Sequence, residues 1–235
     1  MHIIGQDFIE RYRAIQARLR DPFLTTLTIL LLMLVFVIAP LHAAKILYSQ
    51  DYGFAVAFIL VGGVLAVSGN LVAVVAMLIA IGLAITAATL SSPKDSSLAI
   101  HFYAAAWVTI GVALLWVVGR TVFAPGRVTY HRIIGAILLY LTIGVVFVGL
   151  FAIVGLIAPT PFSGIKISDD PALASNLIYF SFVTLTSTGY GDITPIHPFV
   201  RSLCNIEAII GQLYPATLLA RLVTLELEDR RAKDK

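Results

Sequence analysis

Charged side chains are scarce in this chain of 235 residues. Asp, Glu, Lys and Arg together make up 12% of it, against about 25% in typical soluble domains. Hydrophobic residues reach 59%, and the mean hydropathy is +0.95. This composition excludes a soluble globular protein and indicates an integral membrane protein.

Cysteine is also nearly absent. The one cysteine, Cys204, cannot form a disulfide within the chain, so packing is its simplest role. The N-terminus lacks the features of a cleaved signal peptide, because about twenty polar and amphipathic residues precede the first apolar run and no small-residue cleavage site follows it. We therefore expect that run to remain in the mature protein.

Six apolar runs account for most of the chain. A helix needs about 20 residues to cross a hydrocarbon core about 30 Å thick. We reject a single long tilted helix over Gly53–Leu90, because Ser68-Gly69-Asn70 is typical of a tight turn between two helices. The sequence thus predicts six membrane-spanning helices: Leu24–His42, Gly53–Val67, Leu71–Leu90, Leu98–Gly119, Ile133–Ala158 and Pro198–Leu222.

Positive charges fall mostly on one side of this predicted bundle. Of the 16 Lys and Arg residues, only Lys45, Lys94, Lys166 and Arg201 fall on the other side. The positive-inside rule then places both termini in the cytoplasm of a protein in the cell (plasma or inner) membrane. The net charge of +3 reflects this topology and anionic lipid headgroups, so membrane lipids are expected partners and nucleic acid is not.

An apolar stripe at helical spacing precedes the first run. The sequence predicts a cytoplasmic amphipathic helix there, which either lies along the inner membrane surface or packs under the bundle. The stripe consists of Ile4, Phe8, Tyr12, Ile15 and Leu19.

A polar stretch, TLTSTGYGDITP (residues 184–195), interrupts the apolar sequence. Asp170-Pro171 is typical of a helix start, and Ala172–Thr186 is apolar but too short to cross the membrane, which predicts a re-entrant helix. Irregular backbone at membrane depth is tolerated only where it is buried in protein or lines a watery cavity. Gly189 and Gly191 permit backbone angles that align successive carbonyl oxygens, so we expect the stretch to line a cation path.

The run Ser187-Thr188-Gly189-Tyr190-Gly191-Asp192 resembles the potassium-channel selectivity filter, usually written TVGYGD. The resemblance extends over Ile133–Val223 and includes the aromatic residues before the signature, Tyr179, Phe180 and Phe182. It implies an all-α membrane protein with six transmembrane helices, a re-entrant pore helix, a selectivity-filter loop and a tetrameric channel architecture. It also implies a homotetramer that conducts potassium passively, without a cofactor and without enzymatic activity.

In that family the filter carbonyls and the first hydroxyl of the signature bind dehydrated potassium. The resemblance therefore implies K⁺ sites at Ser187, Thr188, Gly189 and Tyr190, in a filter that ends at Gly191. Two residues depart from the family pattern, since serine stands at 187 in place of threonine and threonine at 188 in place of valine. These differences keep two alternatives open, a weakly selective cation channel and a non-conducting regulatory subunit.

The resemblance also implies residues that support the filter. Val183 occupies the position where some relatives keep a glutamate, so we expect Asp192 to turn to the hydroxyl of Tyr179, where the family often has tryptophan. Glu207 is the only acid inside a span of this module, and intramembrane ionisable residues are functional candidates. We favour a structural role in which Glu207 bonds Thr184 or a neighbouring subunit's hydroxyls; a place nearer the pore, attracting cations, is the alternative.

The sixth run carries a candidate hinge. Gly211 lies where relatives have a hinge glycine, and Pro215 removes a helical hydrogen bond and usually kinks the helix. Simple packing of both residues is the alternative. Gln212 is expected to be polar pore lining, and Leu219 part of an apolar constriction that gates by dewetting. The full candidate lining face is Ala208, Gly211, Gln212, Pro215 and Leu219.

These interpretations divide the chain into five segments. They are a cytoplasmic amphipathic segment (1–22), a four-helix transmembrane domain (23–119), a cytoplasmic linker (120–132), a pore domain (133–223) and a short cytoplasmic tail (224–235).

Several functions lack their sequence features. Trp107–Gly119 contains no arginine, so no voltage sensor is expected, because each gating charge contributes about 2.3 kcal/mol per 100 mV. A transporter built on the same pore module would carry four filter repeats, and one is present. No H-E-x-x-H motif or serine–histidine arrangement indicates an enzyme.

The chain ends shortly after the sixth run, so no ligand-sensing domain is expected, and an unidentified regulatory partner stays open. His131 and His197 are candidate pH sensors by residue type alone, and we expect them to be interfacial instead.

Overall fold

The computed structural model of the chain describes residues 24–46, 71–90, 96–122, 130–167 and 171–233. The predicted span Gly53–Val67 and the stripe in residues 1–22 lie outside these residues. In chain order the described elements are α1 (Leu24–Ala43), α2 (Leu71–Leu90), α3 (Ser96–Val122), α4 (Tyr130–Ile157), β1 (Phe162–Ser163), α5 (Pro171–Leu185), β2 (Thr194–Pro195) and α6 (Pro198–Lys233).

Four of the described helices are long and apolar enough to cross a membrane. They correspond to the first, fourth, fifth and sixth predicted runs, and α2 coincides with the third. The chain is therefore a mostly helical membrane protein, and the count of six spans stays a prediction. The four membrane-length segments are Leu24–Ala43, His101–Arg120, Ile133–Ile157 and Pro198–Arg221.

Helix α1 contains one turn of π-helix, Leu34–Ile38, directly before Pro40. Proline has no N–H to donate, and its ring collides with the carbonyl four residues earlier. The turn widens accordingly, and the Ala39 N–H donates to the Leu34 carbonyl five residues back. Phe36 in this turn meets the ring of Phe182 edge to face, with 5.2 Å between the ring centroids. The end of α1 thereby packs against the short helix α5.

Two apolar cores hold the helices together. The first joins α1, α2, α3 and α4, and the second joins α4, β1, α5 and α6. At the centre of the second core, the rings of Phe151, Phe162 and Phe180 pack edge to face with centroids 4.9, 5.2 and 6.2 Å apart. Such aromatic pairs contribute about 0.5–1.5 kcal/mol each beyond burial of their area. They fix α5, which is too short to span a membrane, against α4.

Two strands of two residues each accompany the helices, and the chain remains mostly helical, as expected for an all-α membrane protein. β1 pairs antiparallel with β2, with Phe162 opposite Pro195, and the Ile196 N–H donates to the Pro161 carbonyl at 2.9 Å. Gly164 has a φ of +90°, and a Cβ at this position would overlap the Asp192 carbonyl oxygen. This pairing ties the loop after α4 to the end of the polar stretch.

Helix α6 is longer than the sequence predicts. It runs without interruption through Pro215 to Lys233, whereas the predicted span ends at Leu222 and residues 224–235 were expected to form a short tail. Leu, Glu, Arg and Ala in this segment are strong helix formers. Hydropathy marks only where the apolar part ends, not where the helix ends.

Candidate ion pathway

The backbone leaves the helical conformation directly after α5, in the segment Thr186–Asp192, here called the signature loop. Ser187, Gly189 and Gly191 have φ values of +56°, +57° and +83°, whereas Thr188 and Tyr190 between them have negative φ. Alternation of left-handed residues with residues of negative φ is a backbone pattern that allows successive carbonyl oxygens to point toward one side of the chain. Two of the three left-handed positions are glycines, which adopt this conformation without steric cost.

The start of the signature loop is bonded to the end of α5. The N–H groups of Thr186, Ser187 and Thr188 donate to the carbonyls of Phe182, Thr184 and Val183, at 3.0, 2.9 and 2.9 Å. These bonds satisfy carbonyls that the end of a helix would otherwise leave unpaired. The hydroxyls of Thr186 and Thr188 also lie 2.8 Å apart. Together these contacts hold the loop at the negative end of the α5 dipole.

Three side chains at the outer end of the loop come together. The rings of Tyr179 and Tyr190 stack at 6.3 Å with an interplanar angle of 3°. The pKa of Tyr179 is raised by desolvation and, next, by a hydrogen bond to Asp192 and the negative charge of that residue. Tyr179 and Asp192 thus lie close together, and the support that this pair gives to the filter stays a prediction.

Glu207 is fully buried between α4, α5 and α6. Its Oε1 lies 2.5 Å from Ser181 Oγ, and the same hydroxyl lies 2.9 Å from the Gly144 carbonyl oxygen. A hydroxyl has a single proton, so both contacts are hydrogen bonds only when Ser181 donates to Gly144 and a protonated Glu207 donates to Ser181. Among the described residues, Glu207 Oε2 has no partner. A bare buried carboxylate is very costly, so the geometry fits a neutral Glu207.

This arrangement corrects the expected partner of Glu207. The Thr184 hydroxyl donates to the Phe180 carbonyl of its own helix at 2.8 Å, and Ser181 takes the place expected for Thr184. Sequence reasoning missed Ser181 because the two residues are three apart and share a side of α5. One feature of the sequence points to Ser181: its hydroxyl stands alone between two phenylalanines, Phe180 and Phe182.

Gly211 is buried against the end of α5, which corrects its assignment to the open lining face. A Cβ at Gly211 would overlap the Leu185 carbonyl oxygen, so the close approach of α6 to α5 requires glycine. The Tyr140 hydroxyl of α4 donates to the same carbonyl at 3.4 Å. Tyr140 also stacks on Tyr214, with 5.8 Å between centroids. Both long helices of the second core thus hold the last residue of α5.

The remaining residues of the candidate lining face are open in the single chain, apart from half-buried Ala208. Gln212, Pro215 and Leu219 are exposed. The Gln212 amide nitrogen donates to Ser187 Oγ at 3.1 Å, so this side chain reaches the inner end of the signature loop. Leu219 is 64% exposed and belongs to an uncovered apolar face of α6.

Comparison with known proteins agrees with this geometry. Residues 150–227 match the family described as "Ion channel". The segment is a pore module of the potassium channel superfamily. The pore module includes the second half of α4, the whole of α5 and the signature loop, and most of α6. Its matched range begins later and ends later than the resemblance drawn from the sequence, Ile133–Val223.

One curated protein is similar to part of this chain. Protein LctB of Bacillus caldotenax is 40% identical over 65 residues, which are 28% of this chain and 46% of that protein. The match thus spans less than half the length of the relative. No solved structure matches the chain.

Proposed function

We propose that the chain forms a potassium-selective channel that conducts passively through a homotetrameric pore. The observation that carries the proposal is the alternating φ of the signature loop, because this pattern would let the carbonyl oxygens of Ser187, Thr188, Gly189 and Tyr190 serve together as ligands for dehydrated K⁺. Ser187 adds its hydroxyl at the inner end, and Gly191 completes the turn. The protein acts as a conductor rather than an enzyme, in a cell membrane with both termini cytoplasmic.

The burial pattern supports an assembly of several copies. The membrane-length segment of α6 is 11% buried, whereas that of α4 is 67% buried. Tyr190 in the signature loop is 72% exposed in the single chain. Irregular backbone at membrane depth requires protein or an aqueous pathway around it, so copies of the chain around one axis would enclose both features. Four copies follow from the resemblance to the potassium-channel filter.

Voltage has no strong role in the proposed gating. The sequence of α3 contains a single arginine, Arg120, near its cytoplasmic end. Its guanidinium lies 4.5 Å from the Trp116 ring centroid, a cation–π contact. One charge at a helix end moves through little of the membrane field.

A weakly selective cation channel is the second candidate. The observation that favours it is the hydroxyl pair of Thr186 and Thr188, in which the Thr188 hydroxyl stands where the family has an apolar valine. Both candidates use the same carbonyl ligands and differ in how strongly sodium is excluded.

The test is ion flux from liposomes that contain the purified full-length protein. Potassium flux should exceed sodium flux, barium should block it, and Gly189→Ala should abolish it. No atom lies within 4 Å of a Cβ at Gly189, so the variant acts through its backbone, since a non-glycine residue in the left-handed region costs about 1–2 kcal/mol.

Gly82→Ala is the matched control, because the space at that helical glycine is also open. Equal fluxes of sodium and potassium would favour the weakly selective candidate. Unchanged flux in Gly189→Ala would contradict a pathway through the signature loop.

A further inference from the structure

A hydroxyl that binds an ion must present a lone pair in a fixed direction. The side chain of Ser187 has three staggered rotamers, whereas the β-branched side chain of threonine is restricted at χ1. An unrestrained Ser187 hydroxyl would therefore spend part of its time turned away from the pathway. The structure supplies a restraint from a different helix, since the Gln212 amide donates to Ser187 Oγ at 3.1 Å.

We propose that Gln212 is a positioning residue that orients the Ser187 hydroxyl as a ligand for dehydrated potassium at the inner end of the signature loop. This inference rests on the proposed function, because it assigns Gln212 a part in ion selection. Gln212 itself does not need to touch the ion.

The hydrogen bond leaves Ser187 able to bind a cation. A serine hydroxyl has one proton and two lone pairs. One lone pair accepts the Gln212 N–H, and the second is free for an ion when the Ser187 proton points away from it. The Gln212 amide thus fixes the direction of Ser187 Oγ and leaves one lone pair free to bind a cation.

The backbone around both residues brings them together. Ser187 has a φ of +56°, an uncommon conformation for a residue other than glycine, and its N–H is bonded to the Thr184 carbonyl at 2.9 Å. Gly211, next to Gln212, lies against the Leu185 carbonyl where a Cβ would not fit. The contact of Gly211 therefore brings the adjacent Gln212 within reach of the loop.

The test compares the wild type with Gln212→Leu, Ser187→Thr and the double variant, all full-length and in liposomes. Leucine is close to glutamine in volume and makes no hydrogen bond. Thr217→Val is the matched control on α6, because the Thr217 hydroxyl donates to carbonyls of its own helix, those of Leu213 and Tyr214. The readouts are the ratio of potassium to sodium flux and the barium concentration that halves potassium flux. Barium is close to potassium in size and binds the same kind of oxygen ligands.

Gln212→Leu should lower the flux ratio and weaken barium block, each by about fivefold, the effect expected from loss of one hydrogen bond. Thr217→Val should change neither. In the presence of Ser187→Thr the same Gln212→Leu change should have a markedly smaller effect, because the branched side chain restricts its own hydroxyl. Wild-type values in Gln212→Leu, or an equal loss with and without Ser187→Thr, would overturn the proposal.

A second measurement does not depend on conduction. Barium should raise the melting temperature of the detergent-solubilised wild type more than that of Gln212→Leu, and adding Ser187→Thr to Gln212→Leu should restore most of the barium protection. Equal barium protection of wild type and Gln212→Leu would overturn the role of Gln212. If the wild type passes potassium and sodium equally, or passes neither, the proposed function fails, while barium protection still decides the role of Gln212.

Discussion

At the scale of single residues, the Glu207–Ser181 contact joins three helices through one hydroxyl. Ser181 lies on α5, Gly144 on α4 and Glu207 on α6, and the two oxygen distances are 2.9 and 2.5 Å. Because the hydroxyl has one proton to share between two acceptors, the contact is complete only with a neutral Glu207. The acid then acts as a structural link behind the signature loop rather than as a charge in the pathway.

Glu207→Gln should leave the melting temperature of the purified protein nearly unchanged. The glutamine amide donates to Ser181 in the place of the carboxylic acid proton, and no charge is removed. Ser181→Ala should be destabilising by about 1–3 kcal/mol, because it leaves the buried Glu207 without its hydrogen-bond partner. Thermal unfolding in detergent measures both.

Thr184→Val is the control for this comparison, since it removes a hydroxyl of α5 that is bonded within its own helix. It should cost less stability than Ser181→Ala. A Glu207→Gln protein as unstable as Ser181→Ala would mean that Glu207 is ionised, which contradicts the neutral link.

At the scale of elements, the contact between α6 and the end of α5 depends on Gly211. The Leu185 carbonyl occupies the space that a Cβ would need, and α4 contributes the Tyr140 hydroxyl to the same oxygen. The helices α4 and α6 both contact Leu185, the last residue of α5, and they thereby set the position of the signature loop that follows it.

Gly211→Ala should push α6 away from α5, break the Gln212–Ser187 bond, lower the melting temperature and strongly reduce potassium flux. The Gly82→Ala control should behave like the wild type or be slightly more stable, because alanine favours a helix interior by up to about 1 kcal/mol over glycine. Flux and thermal unfolding of both variants check this. A fully active Gly211→Ala protein would show that the close contact is dispensable.

The sequence predicts those elements that are determined by residues adjacent in the chain. Lipid demands long apolar helices, so hydropathy located α1, α3, α4 and α6, and the Asp170-Pro171 start located α5 at Pro171. The signature loop was found because its glycines are needed for its conformation. The two-residue strands have no periodicity to detect, and the extension of α6 to Lys233 lies beyond the apolar run.

The residues that sequence reasoning misplaced depend on contacts between elements. The choice of Ser181 over Thr184 as partner of Glu207 depends on the rotation of α5 against α6. The burial of Gly211 depends on how closely those helices approach. Neither quantity can be read from the spacing of residues within one helix.

At the scale of the whole molecule, a single chain does not enclose the proposed ion pathway. The signature loop and the apolar face of α6 are both uncovered, and Tyr190 and Leu219 are 72% and 64% exposed. Copies of the chain around a central axis would turn the aligned carbonyls into a ring of oxygens. This ring is the proposed site at which potassium is selected over sodium.

The most direct measurement of that selection is the reversal potential of the purified full-length protein in a planar bilayer, with potassium on one side and sodium on the other. A potassium-selective pore gives a current that reverses far from zero, toward the potassium equilibrium potential. A reversal near zero would show that the two ions pass equally and would contradict potassium selection by the signature loop.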